Sequence, residues 1–261
     1  MSPAVELFAP AKLTRSLRVL GTRPDGYHLI EAEIVSLDWG DHLLVDPSGE
    51  GLEIEDLTPW AGSTAIAVAA GEDNLVSRAL AATGRQAGVR LSKRVPAGAG
   101  LGGGSSDAAA ILRWAGVGPD ADGLALASGL GADVPFCLAG GRARVGGIGE
   151  VIEALDPLDL ALTLLLVPLQ CPTPAVYAAW DRSPVKSTGT NDLEPAALAV
   201  EPRLGLWREA WGAATGEEPR LAGSGSTWFV EGARPDLAGP FPAPDGSGPD
   251  GWVVATRTGR P

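Results

Sequence analysis

Five of the fifteen residues from Pro96 to Ala110 are glycine: Gly98, Gly100, Gly102, Gly103 and Gly104. Glycine tolerates φ > 0 and brings no Cβ, so such a loop can present bare backbone N–H groups to an approaching anion. The segment before it, Val89 to Val95, alternates like a short strand. The segment after it, Ala108 to Trp114, is rich in Ala and Leu and predicts a helix. Strand, glycine loop and helix together put an anion at the positive end of a helix, and a phosphate group is the natural occupant. Ser105 and Ser106 stand where the helix is expected to begin, able to cap it or to reach phosphate or a metal. The loop has no Lys of the G-x-x-x-x-G-K-[ST] kind and is not a P-loop. Gly98-x-Gly100-x-x-Gly103 matches the dinucleotide fingerprint formally. That fold needs a strand soon after the helix, and Ala115 to Gly131 carries no Val/Ile run to make one.

Other reactive side chains are scarce. Only three of the twenty basic residues are lysines (Lys12, Lys93 and Lys186), so each invites a reason specific to Lys. There are two tyrosines, Tyr27 and Tyr177, and two histidines, His28 and His42. Cys137 and Cys171 have no metal-binding spacing and predict a reduced protein. The net charge of −12 disfavours nucleic acid and anionic membrane as partners. An anionic ligand must then be held by local donors. The 261 residues, 45% hydrophobic and 20% charged, have a globular composition with ample core. No basic stretch followed by an apolar run opens the chain, which predicts no signal peptide and a cytoplasmic location. The most apolar stretch, Leu158 to Val167, is too short to span a membrane and predicts a buried strand.

The elements that must position these residues follow from periodicity. Ala11 to Leu20 alternates as a strand, with Leu13, Leu17 and Val19 on one face and Lys12, Thr14, Ser16 and Arg18 on the other. Gly21 to Gly26 is a turn, and Tyr27 to Leu37, His42 to Val45 and Leu52 to Ile54 are strands. Asn74 to Ala82 predicts a helix capped by Asn74. Asp120 to Leu130 predicts another, followed by a turn at Ala132-Asp133-Val134-Pro135 in which the proline pushes Val134 out of helical geometry. Strands are expected at 142–145, 161–167, 227–230 and 252–256, and helices at 175–181, 192–200 and 204–212. Gly232 to Gly251 reads as a loop. Strands first, then mixed helices and strands, predict an α+β class.

Pro96 to Ser106 resembles the ATP-binding motif of the GHMP small-molecule kinases. Further segments resemble the branch of that family whose acceptor is a cytidine-diphosphate-linked methylerythritol. They are Ala9-Pro10-Ala11-Lys12-Leu13-Thr14, Arg23-Pro24-Asp25-Gly26-Tyr27-His28, Leu130-Gly131-Ala132-Asp133-Val134-Pro135, Gly147-Ile148-Gly149-Glu150, Pro172-Thr173-Pro174, Asn191-Asp192-Leu193-Glu194 and Gly223-Ser224-Gly225. They fall in the family's order from about residue 9 to residue 230.

The resemblance implies a two-lobed GHMP kinase fold. An ATP-binding lobe over residues 1–155 is similar to domain 2 of ribosomal protein S5, and residues 156–261 form a ferredoxin-like α/β lobe. It implies ATP-dependent phosphorylation of a 2-hydroxyl on the route to isoprenoid precursors by way of methylerythritol, with Mg²⁺ arriving on ATP and a monomer or homodimer as the assembly. Asp133 is implied as general base and Lys12 as the neighbouring cation that neutralises charge in the transition state. Pro96, Ala97, Gly98, Ala99, Gly100, Leu101, Gly102, Gly103, Gly104, Ser105 and Ser106 are implied to wrap the triphosphate, with Asp107 pointing away from it. Thr14, Tyr27, His28, Thr173 and Tyr177 are implied on the substrate side, the two tyrosines stacking on the pyrimidine at about 1–3 kcal/mol per contact. Gly223, Ser224 and Gly225 are implied as support for the phosphate loop.

The sequence departs from the pattern at Thr14, where the family usually carries Asn, and in a short C-terminal third without the expected helix before the last strand. Both departures bear on the acceptor, and they leave a different small alcohol or a phosphorylated acceptor as the alternative substrate.

Overall fold

Two long strands open the chain. β1 (Val5–Thr22) and β2 (His28–Asp46) pair antiparallel from Val5↔Val45 to Thr22↔His28. They are joined by a turn in which Arg23 N–H donates to Tyr27 O and Gly26 takes φ 88°. The register shifts between Pro10 and Lys12, between Thr14 and Ser16, and between Val19 and Gly21. Such irregularities re-aim side chains along a strand. The architecture is that of a computed structural model describing residues 3–62, 68–183, 189–246 and 248–259, with Lys186 outside these segments.

A six-stranded sheet grows from this pair. β3 (Leu52–Asp56) runs parallel to β4 (Gly88–Lys93), and the order is β3-β4-β2-β5-β6, with β1 also on β2. β5 spans Arg142–Gly147 and β6 spans Val151–Ala154. Four helices accompany it: α1 (Leu75–Ala82), α2 (Gly103–Trp114), α3 (Ala121–Leu130) and α4 (Val134–Ala139). α2 packs against α1, α4 and β1. Its run Ala108, Ala109, Ala110, Ile111 and Leu112 is buried all round, as an apolar helix at the centre of a lobe must be.

A second, five-stranded sheet takes the order β10-β11-β7-β9-β8. Its strands are β7 (Ala161–Leu166), β8 (Arg220–Leu221), β9 (Trp228–Glu231), β10 (Gly239–Phe241) and β11 (Gly251–Arg257). β7 is central, and Leu162, Leu164, Leu165 and Leu166 are all fully buried. A strand covered on both faces reads as a continuous apolar run, which is why Leu158 to Val167 lacks alternation. Each such leucine contributes roughly 1.5–3 kcal/mol by leaving water. Helices α5 (Thr173–Arg182), α6 (Glu194–Val200) and α7 (Arg203–Thr215) lie between β7 and β8 in the chain.

The α+β class stands, and four expectations are corrected. The strands expected at 27–37 and 42–45 form one strand, because Gly40 lets β2 pass within contact of Ala9 O, where a Cβ would come to 2.1 Å. α2 starts at Gly103, five residues earlier than the Ala-rich run predicts. Val134 is helical: Pro135 sits in the first turn of α4, where a missing N–H costs nothing. Finally, the segment from Gly232 to Gly251 holds a short 3₁₀ turn, Pro235–Leu237, and β10. Asn74 does cap α1, its Oδ1 accepting from Val76 N–H at 2.9 Å.

Candidate active site

The glycine segment forms a tight cradle between β4 and α2. Gly98, Gly100 and Gly102 take φ of 74°, 78° and 64°. Gly102 is the residue that enters α2, and no side chain caps that end, so the N–H groups of the first turn stay unclaimed by a cap. Close approach is the second reason for glycine. A Cβ on Gly100 would meet Ala222 O at 2.5 Å and Gly225 O at 2.6 Å, and one on Gly102 would meet Lys12 Cγ at 2.7 Å. The loop is sewn to its neighbours by Lys12 N–H to Leu101 O (2.9 Å) and Thr227 Oγ1 to Ala99 O (2.7 Å).

Lys12 and Thr14 project from the same side of β1, two residues apart as the pleat requires. Lys12 Nζ donates to Thr14 Oγ1 at 3.2 Å and lies 3.5 Å from Asp133 Oδ2. Lys12 is buried, whereas the Asp133 side chain is 44% exposed. Asp133 occupies the N-cap position of α4, but its carboxylate accepts no capping bond and is free to face the cleft.

Two cavities meet at this pair. One, of about 580 Å³, is lined by the glycine loop from Pro96 to Gly100 and from Gly102 to Ser105, and by Asn74 and Leu75. The other, of about 650 Å³, is lined by Thr14, Tyr27, His28, Pro174, Tyr177 and Gly223. Lys12, Asp133, Ser105, Thr173 and Ser224 line both. Thr173 and Ser224 bond to each other through their hydroxyls at 2.9 Å. An ammonium and a carboxylate thus stand on the wall between an anion cradle and an aromatic pocket.

Most residues expected at the site are brought together here. Leu101 and Ser106 are placed differently. Leu101 is a core side chain, and the Ser106 hydroxyl is buried and donates to Pro10 O at 2.6 Å, so it braces β1 and neither caps α2 nor lines the cleft. The tyrosine pair also differs from a simple sandwich. Tyr177 is already stacked by His28, with ring centroids 4.6 Å apart and planes 24° apart. Burial, helped by the charge of Asp133, pushes its hydroxyl up to about 12. Tyr177 also packs against the hydrophobic core, whereas Tyr27 is exposed. Gly223 takes φ 63° at the second cavity, held by Asn191 Nδ2 donating to Gly223 O at 2.7 Å and Leu221 O at 2.9 Å. His42 is exposed on β2, and Cys137 and Cys171 are free and buried. Burial raises the Cys171 thiol to about 11 and moves that of Cys137 further the same way, which disfavours the thiolate form of both.

Sequence reasoning missed a buried cluster beneath the loop. Lys93 donates to Asp41 and, at 2.8 Å, to Asp107 Oδ2. Asp41 Oδ1 also accepts from the N–H groups of Arg94 (2.6 Å) and Val95 (2.8 Å). Asp107 is buried on Lys93 and also lines the cavity of the glycine loop, so it does not simply turn away from it. Burial pushes its carboxyl up to about 7, with Lys93 opposing and Asp41 reinforcing the shift. The scarcity of lysine was the only signal available for this cluster.

Comparison with known proteins agrees with the geometry. Residues 74–141 match the GHMP kinases N terminal domain family. A 4-diphosphocytidyl-2-C-methyl-D-erythritol kinase of Cereibacter sphaeroides strain KD131 is 37% identical, over 96% of this chain and 97% of that protein. The kinase of the same name from Paramagnetospirillum magneticum is 39% identical, over 95% of each. A crystal structure of 4-(cytidine 5'-diphospho)-2C-methyl-D-erythritol kinase superposes with a TM-score of 0.74 at 32% identity, covering 98% of this chain and all of that one. The mevalonate kinase of Methanococcus jannaschii, at 11% identity and a TM-score of 0.59 over 100% of this chain and 99% of its own, shares the fold.

A glycine cradle at a helix start, opening onto a Lys–carboxylate pair in this two-sheet fold, defines an ATP-dependent small-molecule kinase of the GHMP type. Within that class, the chain belongs to the 4-diphosphocytidyl-2-C-methyl-D-erythritol kinase family.

Proposed function

We propose that this protein transfers the γ-phosphoryl group of ATP to the 2-hydroxyl of 4-diphosphocytidyl-2-C-methyl-D-erythritol, in the cytoplasm, on the methylerythritol route to isoprenoid precursors. The observation that carries the reading is the wall shared by the two cavities. Donor and acceptor can enter from opposite sides and meet at Lys12 and Asp133. Asp133 takes the proton of the attacking hydroxyl, and Lys12 offsets the negative charge that spreads over the transferring group. The backbone of the glycine loop and the start of α2 hold the phosphates. Tyr27, His28 and Tyr177 hold the cytidine end, and Thr173, Ser224 and the Gly223 turn close the region between them.

Mg²⁺ is usually shared between phosphate oxygens and one or two protein oxygens, and we assign Ser105, which lines both cavities, as such a protein contact. A magnesium ion held there would neutralise phosphate charge. Thr14 supports Lys12 through its hydroxyl, which gives Thr at this position a task that needs no amide. We take residues 1–155 as the ATP-binding lobe and residues 156–261 as its companion; the strands of the two sheets divide between Ala154 and Ala161.

The test is ADP release from Mg·ATP with and without the diphosphocytidyl compound, for wild type and Asp133→Asn. Substrate-dependent release that falls by about 10²–10⁴ in the variant is expected. ATP hydrolysis or transfer only to other small alcohols would overturn the acceptor. Unchanged turnover in the variant would overturn the base.

A further inference from the structure

A third cavity, of about 580 Å³, lies on the other face of the first sheet. Along β2, Ile30, Ala32 and Ile34 line the aromatic cavity, and Val35 lines this one. Successive side chains of a strand point to opposite faces, so one layer of backbone separates the two spaces. On β5, Val145 lines the front, and Arg142, paired across the strands with Val35, lines the rear. Val35, Leu155, Pro157 and Leu158 give the rear cavity an apolar floor, the last three from the segment between the lobes.

Arg142 is the cation of this cavity. Its Nε donates to Glu33 at 3.0 Å and its Nη1 to Asp156 O at 3.2 Å, while Nη2 has no partner among the described residues. Glu33 is shared with Arg15, and Arg15 shares Glu231 with Arg220. Three guanidiniums thus face two carboxylates, a local excess of one positive charge in a chain of net charge −12. An unused N–H on such a guanidinium is an open position for an anion. Asp159, a carboxylate in the lining, is engaged by Arg257 at 2.7 Å.

The opposite wall is the end of α4. Ala139, Gly140 and Gly141 line the rear cavity, and Asp133 stands at the other end of the same helix. At 1.5 Å per residue the helix carries the backbone only about 9 Å from one to the other. Val134 to Leu138 are all buried, and Arg113 Nη1 donates to Cys137 O at 2.6 Å. A short helix in a close-packed interior transmits a push at one end to the other. A Cβ on Gly141 would meet nothing within 4 Å, so the backbone there borders open space.

We propose that the rear cavity is a second binding site, for a small molecule with one anionic head, carboxylate or phosphate, on a short apolar body, and that its occupancy reaches the site of chemistry through α4. The head sits on Arg142 and the body on Val35, Leu155 and Leu158. A ligand that presses on Ala139 to Gly141 shifts the far end of α4 and the Asp133 carboxylate with it. A misplacement of about 1 Å can cost on the order of 10² in rate, so a smaller shift is enough to regulate turnover. Binding at the rear is independent of the acceptor assigned above; its effect on turnover rests on Asp133 as the base.

The probes are hexanoate and hexyl phosphate, with hexanol and inorganic phosphate as controls that each carry half of the chemistry. Amide ¹H–¹⁵N shifts locate binding. Turnover is measured at saturating Mg·ATP and acceptor, which keeps the front cavities filled and displaces any probe from them. Shifts are expected at Gly140, Gly141 and Leu155, and at Asp133 across α4, with an anionic probe. Either control should bind roughly tenfold or more weakly, the loss of one charge-assisted hydrogen bond or of the apolar contact. A severalfold change in kcat is expected with little change in either KM. Arg142→Gln abolishes both effects. That variant also removes a partner of Glu33, so Ala154→Glu is the second: it adds a carboxylate to the lining from the exposed edge strand β6. It is expected to keep basal turnover and lose the probe effect. Shifts confined to the glycine loop or the aromatic cavity, or equal binding of hexanol, would overturn the proposal. Rear-cavity shifts with kcat and the Asp133 amide unmoved would overturn the coupling. A wild type that fails to turn over the diphosphocytidyl compound removes the acceptor assigned above, and the shifts at Gly141 and Asp133 then decide this proposal by themselves.

Discussion

Lys12 is buried with two oxygen partners, the Thr14 hydroxyl at 3.2 Å and the Asp133 carboxylate at 3.5 Å. A buried ammonium is costly unless its hydrogens are matched, so the neutral partner matters as much as the charged one. Thr14→Val keeps the shape and removes the oxygen. A net hydrogen bond of about 0.5–1.5 kcal/mol predicts a kcat two- to tenfold lower, with KM for ATP little changed. Steady-state kinetics decide it, and a kcat equal to wild type would mean that Lys12 is held by Asp133 and its own packing alone. Lys12 and Asp133 were legible as a pair only through the resemblance of two short motifs far apart in the chain. Taken alone, one is a strand lysine and the other a turn aspartate. Asp181 and Asp41 carried no such signal, because their partners, His28 and Lys93, lie far away along the chain.

At the scale of elements, the phosphate loop is held from two sides. Above, Gly100 fits against the backbone of the turn from Ala222 to Gly225. Gly100→Ala would combine a left-handed φ with a Cβ at 2.5 Å from Ala222 O. The backbone conformation alone costs roughly 1–2 kcal/mol, and relief of the clash must push the two loops apart. The expected result is a higher KM for ATP together with a lower midpoint in urea denaturation. Below the loop, the Asp41–Lys93–Asp107 cluster ties β2, β4 and α2. Burial sets the upward direction of the shift at Asp107, with Lys93 opposing it and Asp41 reinforcing it. One ammonium faces two buried carboxyls, and a proton on Asp107 makes the cluster neutral. In the unfolded chain Asp107 loses its proton near its ordinary value of 3.8, while the folded protein keeps it to about 7. The stabilising contribution of this group is therefore complete at low pH and is lost as pH rises through about 7. Asp107→Asn removes that dependence. Wild type should exceed the variant in unfolding free energy by more at pH 5 than at pH 8, as measured by urea denaturation at each pH. A constant difference would show that Asp107 ionises alike in both states. Local sequence predicted the body of the helix over Ala108 to Trp114 with its start at Ser105 or Ser106, and not from Gly103, because glycine is a poor helix former. Tertiary contacts, Ser106 to Pro10 O among them, draw the first turn into α2 and leave its N–H groups for a ligand.

Across the whole molecule, one hydrophobic cluster joins the two sheets. It runs from Leu17 and Ile34 through Trp180, Leu193 and Trp211 to Leu165 and Val253. Polar links reinforce it: Arg15 bridges Glu33 on β2 and Glu231 on β9, Asp192 accepts from Val19 N–H, and Asp38 accepts from Arg257 N–H. A fragment ending at residue 155 would expose this shared face and is expected not to unfold cooperatively. The full chain is expected to unfold in one transition, with circular dichroism and tryptophan fluorescence coinciding. Two separated transitions, or a cooperatively folded fragment, would show that the lobes are independent. The sequence by itself determined the secondary-structure framework, the buried central strand and the anion-binding loop, because periodicity, apolar runs and glycine spacing are local properties of the chain. Only the tertiary structure decided that two cavities share the wall of Lys12 and Asp133, that Lys93 braces the loop from beneath, and that Asp181 holds His28. Those contacts join residues up to about 150 positions apart, and no local pattern encodes which distant side chain a folded backbone will bring within 3 Å.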